Sequence, residues 1–186
     1  MRKIVAGVLL ALDGVMEAPD QWHFPYLNDE MMTEIGAQIA ASDAMLLGRV
    51  TYQEFAAFWP AAPGDDPFTA YMNNAPKYVV STTLQTAEWN NSTLINGNVA
   101  EELARLKQQP GKDISITGSA TLVRSLLRDN LLDELRLMVH PVLVGSGKRL
   151  FTDGEDLKRL KLVESKTFST GVLSLVYQPA AEDATE

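Results

Sequence analysis

The feature that most constrains the fold is a change of pattern in the last third of the 186-residue chain. Before that point, short apolar runs alternate with amphipathic helical patterns, which is typical of the strands and helices of a parallel α/β sheet. After it, three strand-like runs follow one another with no helical pattern between them, at residues 134–144, 160–168 and 172–177. We therefore predict an α/β fold with a mixed, mainly parallel central sheet and antiparallel C-terminal strands.

The alternating part contains four apolar runs that we predict to be strands, at residues 4–10, 44–47, 78–80 and 113–117. The first run by itself fits a buried helix as well as a strand, but the Asp13-Gly14 turn signal after it favours the strand. Capping residues predict helix starts at Asn28, Asn98 and Ser119, and a further short helix is predicted over residues 51–59, before Pro60.

The chain length suits a single domain, which we expect to span residues 1–179. Residues 61–67 are rich in proline and aspartate, and we interpret them as a surface loop because the pattern resumes directly after them. Residues 180–186 are polar and acidic, and we expect them to form a disordered tail. No stretch reaches the roughly 20 apolar residues of a membrane span. The apolar run after Arg2-Lys3 is short and leads into a turn, so we expect a buried strand of a cytoplasmic protein rather than a secretory signal.

Composition excludes several classes of function. The chain has no cysteine and two histidines, His23 and His140, which argues against disulfide scaffolds, thiol nucleophiles and multi-histidine sites, so we expect no metal centre. Sixteen Lys and Arg against twenty-four Asp and Glu give a formal net charge of −8. That charge argues against non-specific binding of nucleic acids and anionic membranes. Enzymes with so few nucleophiles often leave the chemistry to a cofactor.

Two segments that follow predicted strands have the composition of phosphate-binding turns. The first contains Gly48, Arg49 and Thr51, and the second contains Gly118, Ser119, Ala120 and Thr121. Small residues let a ligand approach the backbone, and the free N–H groups at a helix start favour an anion. The alternatives are a solvated Arg49 in an ordinary strand-to-helix turn, and a Ser119 that serves only as a helix cap.

A third segment, Ser81-Thr82-Thr83, follows the predicted strand at residues 78–80. Its hydroxyl groups could hold the ribose phosphate that distinguishes NADP from NAD. The alternative is that these hydroxyl groups cap the end of the strand. All three segments follow strand ends, which is where open α/β sheets bind their ligands.

Motifs that recur in order along the chain narrow the interpretation. They are Leu12-Asp13-Gly14, Gln21-Trp22, Gly48-Arg49-x-Thr51-Tyr52, Gly118-Ser119-Ala120-Thr121-Leu122, Leu131-Leu132-Asp133-Glu134-Leu135, Pro141-Val142-Leu143-Val144-Gly145 and Gly147-Lys148-Arg149-Leu150-Phe151. With these motifs, residues 2–178 resemble the dihydrofolate reductase-like superfamily. They resemble more closely the reductase domain of the bifunctional deaminase–reductase of riboflavin biosynthesis and its stand-alone relatives. The resemblance implies a three-layer fold with helices on both faces of the sheet, and a homodimer.

The resemblance also implies an NADPH-dependent reductase of a small-molecule substrate. It implies that the adenine side of NADPH is lined by Gly48, Arg49 and Thr51, its ribose phosphate by Ser81 and Thr82, and its pyrophosphate by Gly118, Ser119, Ala120 and Thr121. Asp13 is expected near the nicotinamide and the substrate, as the catalytic candidate. The substrate side is expected to include Trp22, His23, Lys148 and Arg149. Four of these residues have a structural alternative: Asp13 as part of a plain Asp-Gly turn, His23 as a packing histidine, and Lys148 and Arg149 as solvated loop cations.

Three departures from these relatives limit which activity transfers. The Trp22-His23-Phe24-Pro25 stretch keeps the frame of dihydrofolate reductases, but Leu27 stands where those enzymes carry the acid that pairs with the pterin, which argues against folate reduction. Thr117 stands where riboflavin-pathway reductases usually have a glutamate. The zinc deaminase signature is absent from the sequence. Reduction of the phosphoribosylamino-pyrimidine is the activity we expect first, and reduction of a dihydropterin, flavin or quinone, or NADPH binding without turnover, are the alternatives.

Overall fold

The computed structural model describes residues 1–63 and 67–180. Within these residues eight strands form one sheet: β1 Ile4–Ala11, β2 Ser42–Gly48, β3 Lys77–Val80, β4 Ser92–Ile95, β5 Asp113–Thr117, β6 Glu134–His140, β7 Leu160–Thr167 and β8 Leu173–Pro179. Their order is β4-β3-β2-β5-β1-β6-β8-β7. The first six strands are parallel, whereas β8 runs antiparallel to both β6 and β7. The predicted mixed, mainly parallel sheet with antiparallel C-terminal strands is confirmed.

Five α-helices connect the parallel strands, at α1 Asp29–Ala40, α2 Arg49–Phe58, α3 Pro67–Asn74, α4 Val99–Gln108 and α5 Ala120–Arg128. Two of the predicted caps form as expected. The Asn28 side chain accepts a hydrogen bond from the Met31 amide at 3.0 Å, and the Asn98 side chain accepts one from the Glu101 amide at 3.3 Å. Each bond satisfies one of the first-turn N–H groups that has no partner inside its helix.

The helices cover both faces of the sheet. On one face, a core packs the even-numbered residues of β1 against α4 and α5, and includes Ile4, Ala6, Val8, Leu103, Leu106, Val123 and Leu126. On the other face, Met31 of α1 packs with Met138 of β6 and with Phe168. Each such side chain stabilises the fold by roughly 1.5–3 kcal/mol when fully buried. The two cores hold the strands, and therefore the segments that follow them, in fixed positions.

One strand prediction needs correction, and one strand was not predicted. The strand predicted at residues 134–144 ends at His140, because Pro141 has no N–H for the ladder and the Val142 amide instead donates to the His140 carbonyl at 2.8 Å. No strand was predicted where β4 lies. Its four residues are half polar, and β4 pairs only with β3 at one edge of the sheet.

The helices also differ from the predictions in detail. Helix α2 starts at Arg49 rather than at residue 51 and ends at Phe58, and α3 was not predicted as a helix. Ser119 occupies the N-cap position of α5 as predicted, but its side chain makes no capping hydrogen bond. Its backbone is left-handed, with φ of 56°, and its hydroxyl group accepts a hydrogen bond from the Gly48 amide instead of one from α5.

Parts of two predictions lie outside the described residues: residues 64–66 of the expected surface loop, and residues 181–186 of the expected acidic tail. No helix in residues 1–63 or 67–180 is long and apolar enough to cross a membrane. The same residues contain no group of three or more His, Asp and Glu side chains that could hold a metal ion.

Candidate functional site

The three predicted cofactor segments follow neighbouring strands. Strands β3, β2 and β5 are adjacent and parallel, so the segments that begin at Ser81, Gly48 and Gly118 all leave the sheet at the same edge. We call this edge, at the carboxyl ends of the parallel strands, the C-terminal edge. It is the edge at which open α/β sheets bind their ligands.

The first two segments are held together by two reciprocal hydrogen bonds. The Gly48 amide donates to the Ser119 hydroxyl oxygen at 3.0 Å, and the Ser119 amide donates to the Thr51 hydroxyl oxygen at 3.1 Å. Gly118 has φ of 69°, and a Cβ atom there would lie 3.2 Å from the Thr51 methyl group. Glycine therefore lets the two segments approach closely, and together they form one unit, which we call the paired loops.

The paired loops expose the start of α5 to a ligand. The first intrahelical bond of α5 runs from the Val123 amide to the Ser119 carbonyl at 3.0 Å, so the amides of Ala120, Thr121 and Leu122 have no acceptor within the helix. Two consecutive left-handed residues, Gly118 and Ser119, precede them. Such amides, with the positive end of the helix dipole, suit a pyrophosphate, and so the residues present fit the phosphates of a dinucleotide.

Arg49 lies in the first turn of α2, exposed beside the paired loops. Its guanidinium group donates to the Gln53 side-chain oxygen at 3.0 Å. Gln53 is neutral, and among the described residues no carboxylate forms an ion pair with Arg49. Its charge is therefore available to an anionic group at this edge of the sheet, as the phosphate-binding prediction requires.

The third segment lies next to the paired loops but uses its first hydroxyl group internally. Ser81 is buried, and its hydroxyl oxygen accepts hydrogen bonds from the amides of Thr83, at 3.2 Å, and Leu84, at 2.9 Å. This is the strand-end cap that the sequence left open as the alternative. Thr82 and Thr83 are both exposed at the same turn. The Thr83 hydroxyl group lies 3.5 Å from that of Ser81, whereas among the described residues the Thr82 hydroxyl group has no partner and is open to a ligand.

Asp13 follows β1 at the C-terminal edge. One of its carboxylate oxygens, Oδ2, accepts a hydrogen bond from the Gly145 amide at 2.7 Å, whereas Oδ1 is shielded from solvent and has no hydrogen-bond partner among the described residues. The bond from Gly145 lowers the pKa of Asp13 below its ordinary value. Asp13 is therefore a carboxylate at neutral pH, which can accept a hydrogen bond but cannot supply a proton.

Lys148 and Arg149 lie beside the segment that contains Asp13, because residue 149 forms a β-bridge with Val15. The Arg149 side chain donates to the Asp13 carbonyl at 3.0 Å, and the Lys148 ammonium group lies 3.4 Å from a Glu17 carboxylate oxygen. Both predicted substrate-binding cations are exposed and are partly engaged by the chain itself. The structure thus brings them to Asp13 at the C-terminal edge.

Trp22 and His23 lie in the connection between β1 and α1, and both are buried. The Trp22 indole donates to the Glu17 carbonyl at 3.1 Å and contacts the His140 ring edge-on, with centroids 5.1 Å apart. His23 Nδ1 lies 3.1 Å from His140 Nε2. The two histidines of the chain, separated by more than a hundred residues, therefore form a hydrogen-bonded pair at the ends of β1 and β6.

A cavity of about 160 Å³ lies between α1, α3 and the sheet. Its walls are mostly apolar, and its lining includes Gly7, Leu9, Ile35, Gln38, Phe68, Tyr71, Ser115, Thr117, Arg136 and Met138. The absence of a side chain at Gly7 keeps it open, since a Cβ there would lie 3.2 Å from Gln38 Oε1. Thr117, which lines the cavity, directly precedes Gly118 of the paired loops. A mainly apolar cavity with a few polar groups is typical of a small-molecule site.

The polar groups of the cavity are fixed by contacts within the chain. The Tyr71 hydroxyl group donates to the Ala44 carbonyl at 3.2 Å and lies 2.8 Å from the Ser115 hydroxyl oxygen. Burial raises the pKa of Tyr71, so its hydroxyl group stays protonated at neutral pH. Arg136 is paired with Glu134 through contacts of 2.6 Å. Lys148 and Arg149 are not among the residues that line this cavity.

The sequence did not predict most of the residues that line the cavity, nor the contact between His140 and His23. Arg136, Met138 and His140 occupy alternate positions of β6, and that spacing alone places them on one face of the strand. Tyr71 belongs to a helix that was not predicted. The pairing of His23 with His140 left no signal in the sequence, because it depends on how the β1–α1 connection folds over the end of β6.

Comparison with known proteins gives a consistent result. A family model described as the RibD C-terminal domain matches residues 2–174. The uncharacterized protein YyaP of Bacillus subtilis strain 168 is 34 % identical over 183 residues, which covers 95 % of this chain and 94 % of YyaP. The match to the family thus extends over nearly the whole chain, in agreement with the motifs.

Two solved structures show the fold. A protein from Shewanella sp. PV-4, provisionally named a riboflavin biosynthesis protein, superposes with a TM-score of 0.78 at 18 % identity, over 96 % of this chain and 99 % of that one. Dihydrofolate reductase from Enterococcus faecalis, in complex with NADP(H), superposes with a TM-score of 0.64 at 15 % identity, over 96 % and 97 %. The chain therefore has a dihydrofolate reductase-like α/β fold.

Proposed function

Because the chain belongs to the RibD C-terminal domain family, we propose that it is an NADPH-dependent reductase of a small heterocyclic substrate, of the riboflavin-biosynthesis type. The observation that carries the proposal is the junction of the paired loops with the cavity. The amides of Ala120 and Thr121 offer a site for a pyrophosphate, and Thr117, which lines the cavity, directly precedes the loop that leads to them. This arrangement supports adjoining sites for a dinucleotide and a small ring at one edge of the sheet.

In this proposal the paired loops hold NADPH. The amides of Ala120 and Thr121 bind the pyrophosphate, and Gly48 and Thr51 line the adenine side. The uncompensated charge of Arg49 and the accessible hydroxyl group of Thr82 bind the ribose phosphate. The dihydrofolate reductase of similar fold, which is in complex with NADP(H), supports this choice of cofactor.

When bound, the reduced nicotinamide supplies a hydride to an electrophilic carbon of the substrate. The chain's contribution is to place the substrate ring in the cavity against the sheet and to exclude water from it. Asp13 contributes an ionised carboxylate at the C-terminal edge. Because Asp13 is ionised, the proton that accompanies the hydride must come from another group.

The first substrate to test is the deaminated phosphoribosylamino-pyrimidine that is reduced by the riboflavin-pathway relatives. Lys148 and Arg149, which lie at the C-terminal edge beside Asp13, are the cations that would meet its phosphate. Folate-type substrates are disfavoured, because Leu27 occupies the position of the pterin-binding acid and packs among apolar side chains near Met31.

The test is the loss of NADPH absorbance with purified protein and a panel of substrates: the phosphoribosylamino-pyrimidine, a dihydropterin, a flavin and a quinone. We expect turnover with the pyrimidine first. Turnover of a different substrate from the panel would support the reductase function with that other substrate. Binding of NADPH without turnover of any substrate in the panel would favour a non-catalytic NADPH-binding module. The homodimer implied by the resemblance is a separate prediction, which light scattering of the purified chain tests.

A further inference from the structure

We propose that His23 and His140 form the proton-delivering pair of this reductase, in which His23 donates the proton and His140 positions it. The proposal rests on the proposed reductase function. It names the proton source for that reaction, which Asp13 and Leu27 cannot provide. Asp13 is ionised at neutral pH, and Leu27 has no titratable group.

The hydrogen bonds of the pair determine which nitrogen carries each proton. His140 Nδ1 lies 2.9 Å from the Met138 carbonyl and 3.3 Å from the Leu10 carbonyl, and both partners only accept. Nδ1 therefore carries a hydrogen, and in a neutral ring Nε2 is then an acceptor. His23 Nδ1, 3.1 Å from that Nε2, must be the donor. The remaining nitrogen, His23 Nε2, is the one atom of the pair at which a proton can be added without breaking a bond.

This arrangement suits a group that takes up and releases one proton. Protonation of His23 Nε2 leaves the bond from His23 Nδ1 to His140 in place, and even strengthens it, because the donor is then charged. His140 holds the orientation of His23 and is itself held by two backbone carbonyls. A second proton on His140 would remove the acceptor, so the pair is built to hold one proton.

The surroundings make the proton easy to release. His140 is fully buried and His23 is 8 % exposed. The rings of Trp22, Phe24 and Tyr26 surround the pair, and among the described residues no carboxylate forms an ion pair with either histidine. Burial lowers the pKa of both imidazoles below the ordinary value, which makes the charged form a stronger acid than imidazole in water.

The pair also lies next to the candidate substrate cavity. Arg136 and Met138 line that cavity, and His140 is the next residue on the same face of β6, toward the C-terminal edge. Two residues of a strand span about 7 Å. His140, and with it His23 at hydrogen-bonding distance, therefore lies one position along the strand beyond the cavity lining, toward the C-terminal edge.

The proposed step is balanced. Hydride addition to the carbon of a C=N or C=O bond leaves the nitrogen or oxygen one proton short, with the electron pair of the double bond on it. The proton passes from His23 Nε2 to that atom, and the imidazolium becomes a neutral imidazole. Water then returns a proton to Nε2. His23 is thus a general acid, and His140 acts only through its bond to His23.

The chain offers an unusually direct test, because it has only two histidines. Nitrogen NMR of the full-length protein labelled at histidine then reports the tautomer and titration of this pair alone, with and without NADPH. We expect His140 to carry its proton on Nδ1 across the titration, one proton to bind at His23 Nε2, and NADPH to shift the His23 signals. An Nε2–H tautomer at His140, or two independent titrations at the ordinary histidine pKa, would overturn the proposal.

Variants connect the pair to turnover. For His23→Gln we expect a loss of about 100-fold in kcat with an unchanged NADPH affinity, and loss of the fall in rate that wild type shows as pH rises through the pKa of the pair. For His140→Gln we expect a smaller loss in kcat and a shifted pH profile. Arg128→Ala, at the far end of α5 and away from the pair, should match wild type.

The outcomes separate this proposal from the proposed function. If NADPH raises the melting temperature of wild type but moves neither histidine signal, or if His23→Gln keeps the wild-type kcat and pH profile, the reductase assignment stands and the proton-delivering pair is wrong. If NADPH does not bind at all, the proposed function fails and the role of the pair fails with it.

Discussion

The two edges of the parallel sheet use their polar groups in opposite ways. At the edge where the strands begin, Lys77 is fully buried, and its ammonium group donates to the carbonyls of Ala75, Asn90 and Asn73 at 2.9, 3.1 and 3.2 Å. Arg2 is buried at the same edge, paired with Asp43 and hydrogen bonded to the Lys112 carbonyl. These charges are satisfied within the chain.

At the C-terminal edge the polar groups are left incomplete. Asp13 Oδ1 has no partner, the first amides of α5 have no acceptor in their helix, and Arg49 contacts only the neutral Gln53 among the described residues. Buried polar groups usually have hydrogen-bond partners within the chain, because a buried group without a partner lowers the stability of the fold. One buried hydroxyl group at the other edge, that of Ser92 at the start of β4, also has no partner among the described residues. The incomplete anion-binding groups, however, are those of α5 and Arg49 at the C-terminal edge, and they indicate where a ligand binds.

The largest effect on stability is expected from removing the buried lysine at the edge where the strands begin. Lys77→Ala leaves three carbonyl acceptors without their donor and opens space beside the Trp89 ring, which lies 4.2 Å from the ammonium group. At about 1–3 kcal/mol for each unsatisfied group, we expect the free energy of unfolding to fall by about 3 kcal/mol or more. Urea unfolding measures it, and a loss below about 1 kcal/mol would contradict the assignment of Lys77 to the fold.

The same lysine should make stability depend on pH. Burial lowers the pKa of Lys77 from 10.5 to about 8 in the folded chain. Between those values the unfolded chain holds a proton that the folded chain has lost, so the contribution of Lys77 to the free energy of unfolding rises with pH. Relative to Lys77→Met, wild type should gain about 2–3 kcal/mol between pH 7.5 and 10.5. A difference that stays constant with pH would show that Lys77 has an ordinary pKa.

A smaller effect is expected from loosening the paired loops. Thr51→Val keeps the shape of the side chain but removes the acceptor of the Ser119 amide, which now bonds it at 3.1 Å. We expect a loss of about 1–2 kcal/mol in stability and about a tenfold weaker binding of NADPH. Thr33→Val, on the exposed surface of α1, is the matched control and should change neither. If Thr51→Val bound NADPH with the wild-type affinity, the paired loops would not be part of the NADPH site.

The smallest effect on the fold, and the most selective effect on binding, is expected from Arg49→Ala. Because Arg49 is exposed and, in the part of the chain that the structure describes, is hydrogen bonded only to Gln53, its loss should leave the free energy of unfolding within about 0.5 kcal/mol of wild type. The affinity for NADPH should fall about tenfold more than that for NADH, since only NADPH carries the ribose phosphate. Arg128→Ala, at the far end of α5, is the control. If the ratio of the NADPH and NADH affinities were unchanged, Arg49 would not be a contact of the ribose phosphate.

The sequence predicted the fold well because the strands and helices depend on local patterns. The apolar runs of β1, β2 and β5 and the Asn28 and Asn98 caps are legible within a few residues. The end of β6 was misplaced because the apolar residues continue past Pro141. Strand β4 was missed because it forms through its pairing with β3, which its composition does not indicate.

The candidate site was predictable only where it follows a strand. The segments at Gly48 and Gly118 could be placed at one edge from strand order alone, but the reciprocal bonds between Thr51 and Ser119 could not, because they depend on the left-handed backbone at Ser119. The histidine pair joins segments far apart in sequence. Only the folded connection between β1 and α1 brings His23 to His140.

The most direct test of the central claim is a thermal unfolding titration of the wild-type chain with NADPH and NADH. At one hundred times its dissociation constant, NADPH should stabilise the protein by about 2.7 kcal/mol. For a domain of this size that corresponds to a rise of roughly 5–10 °C in Tm. At the same concentration NADH should give a clearly smaller rise. No rise with either nucleotide, or equal rises with both, would contradict an NADPH site at the paired loops.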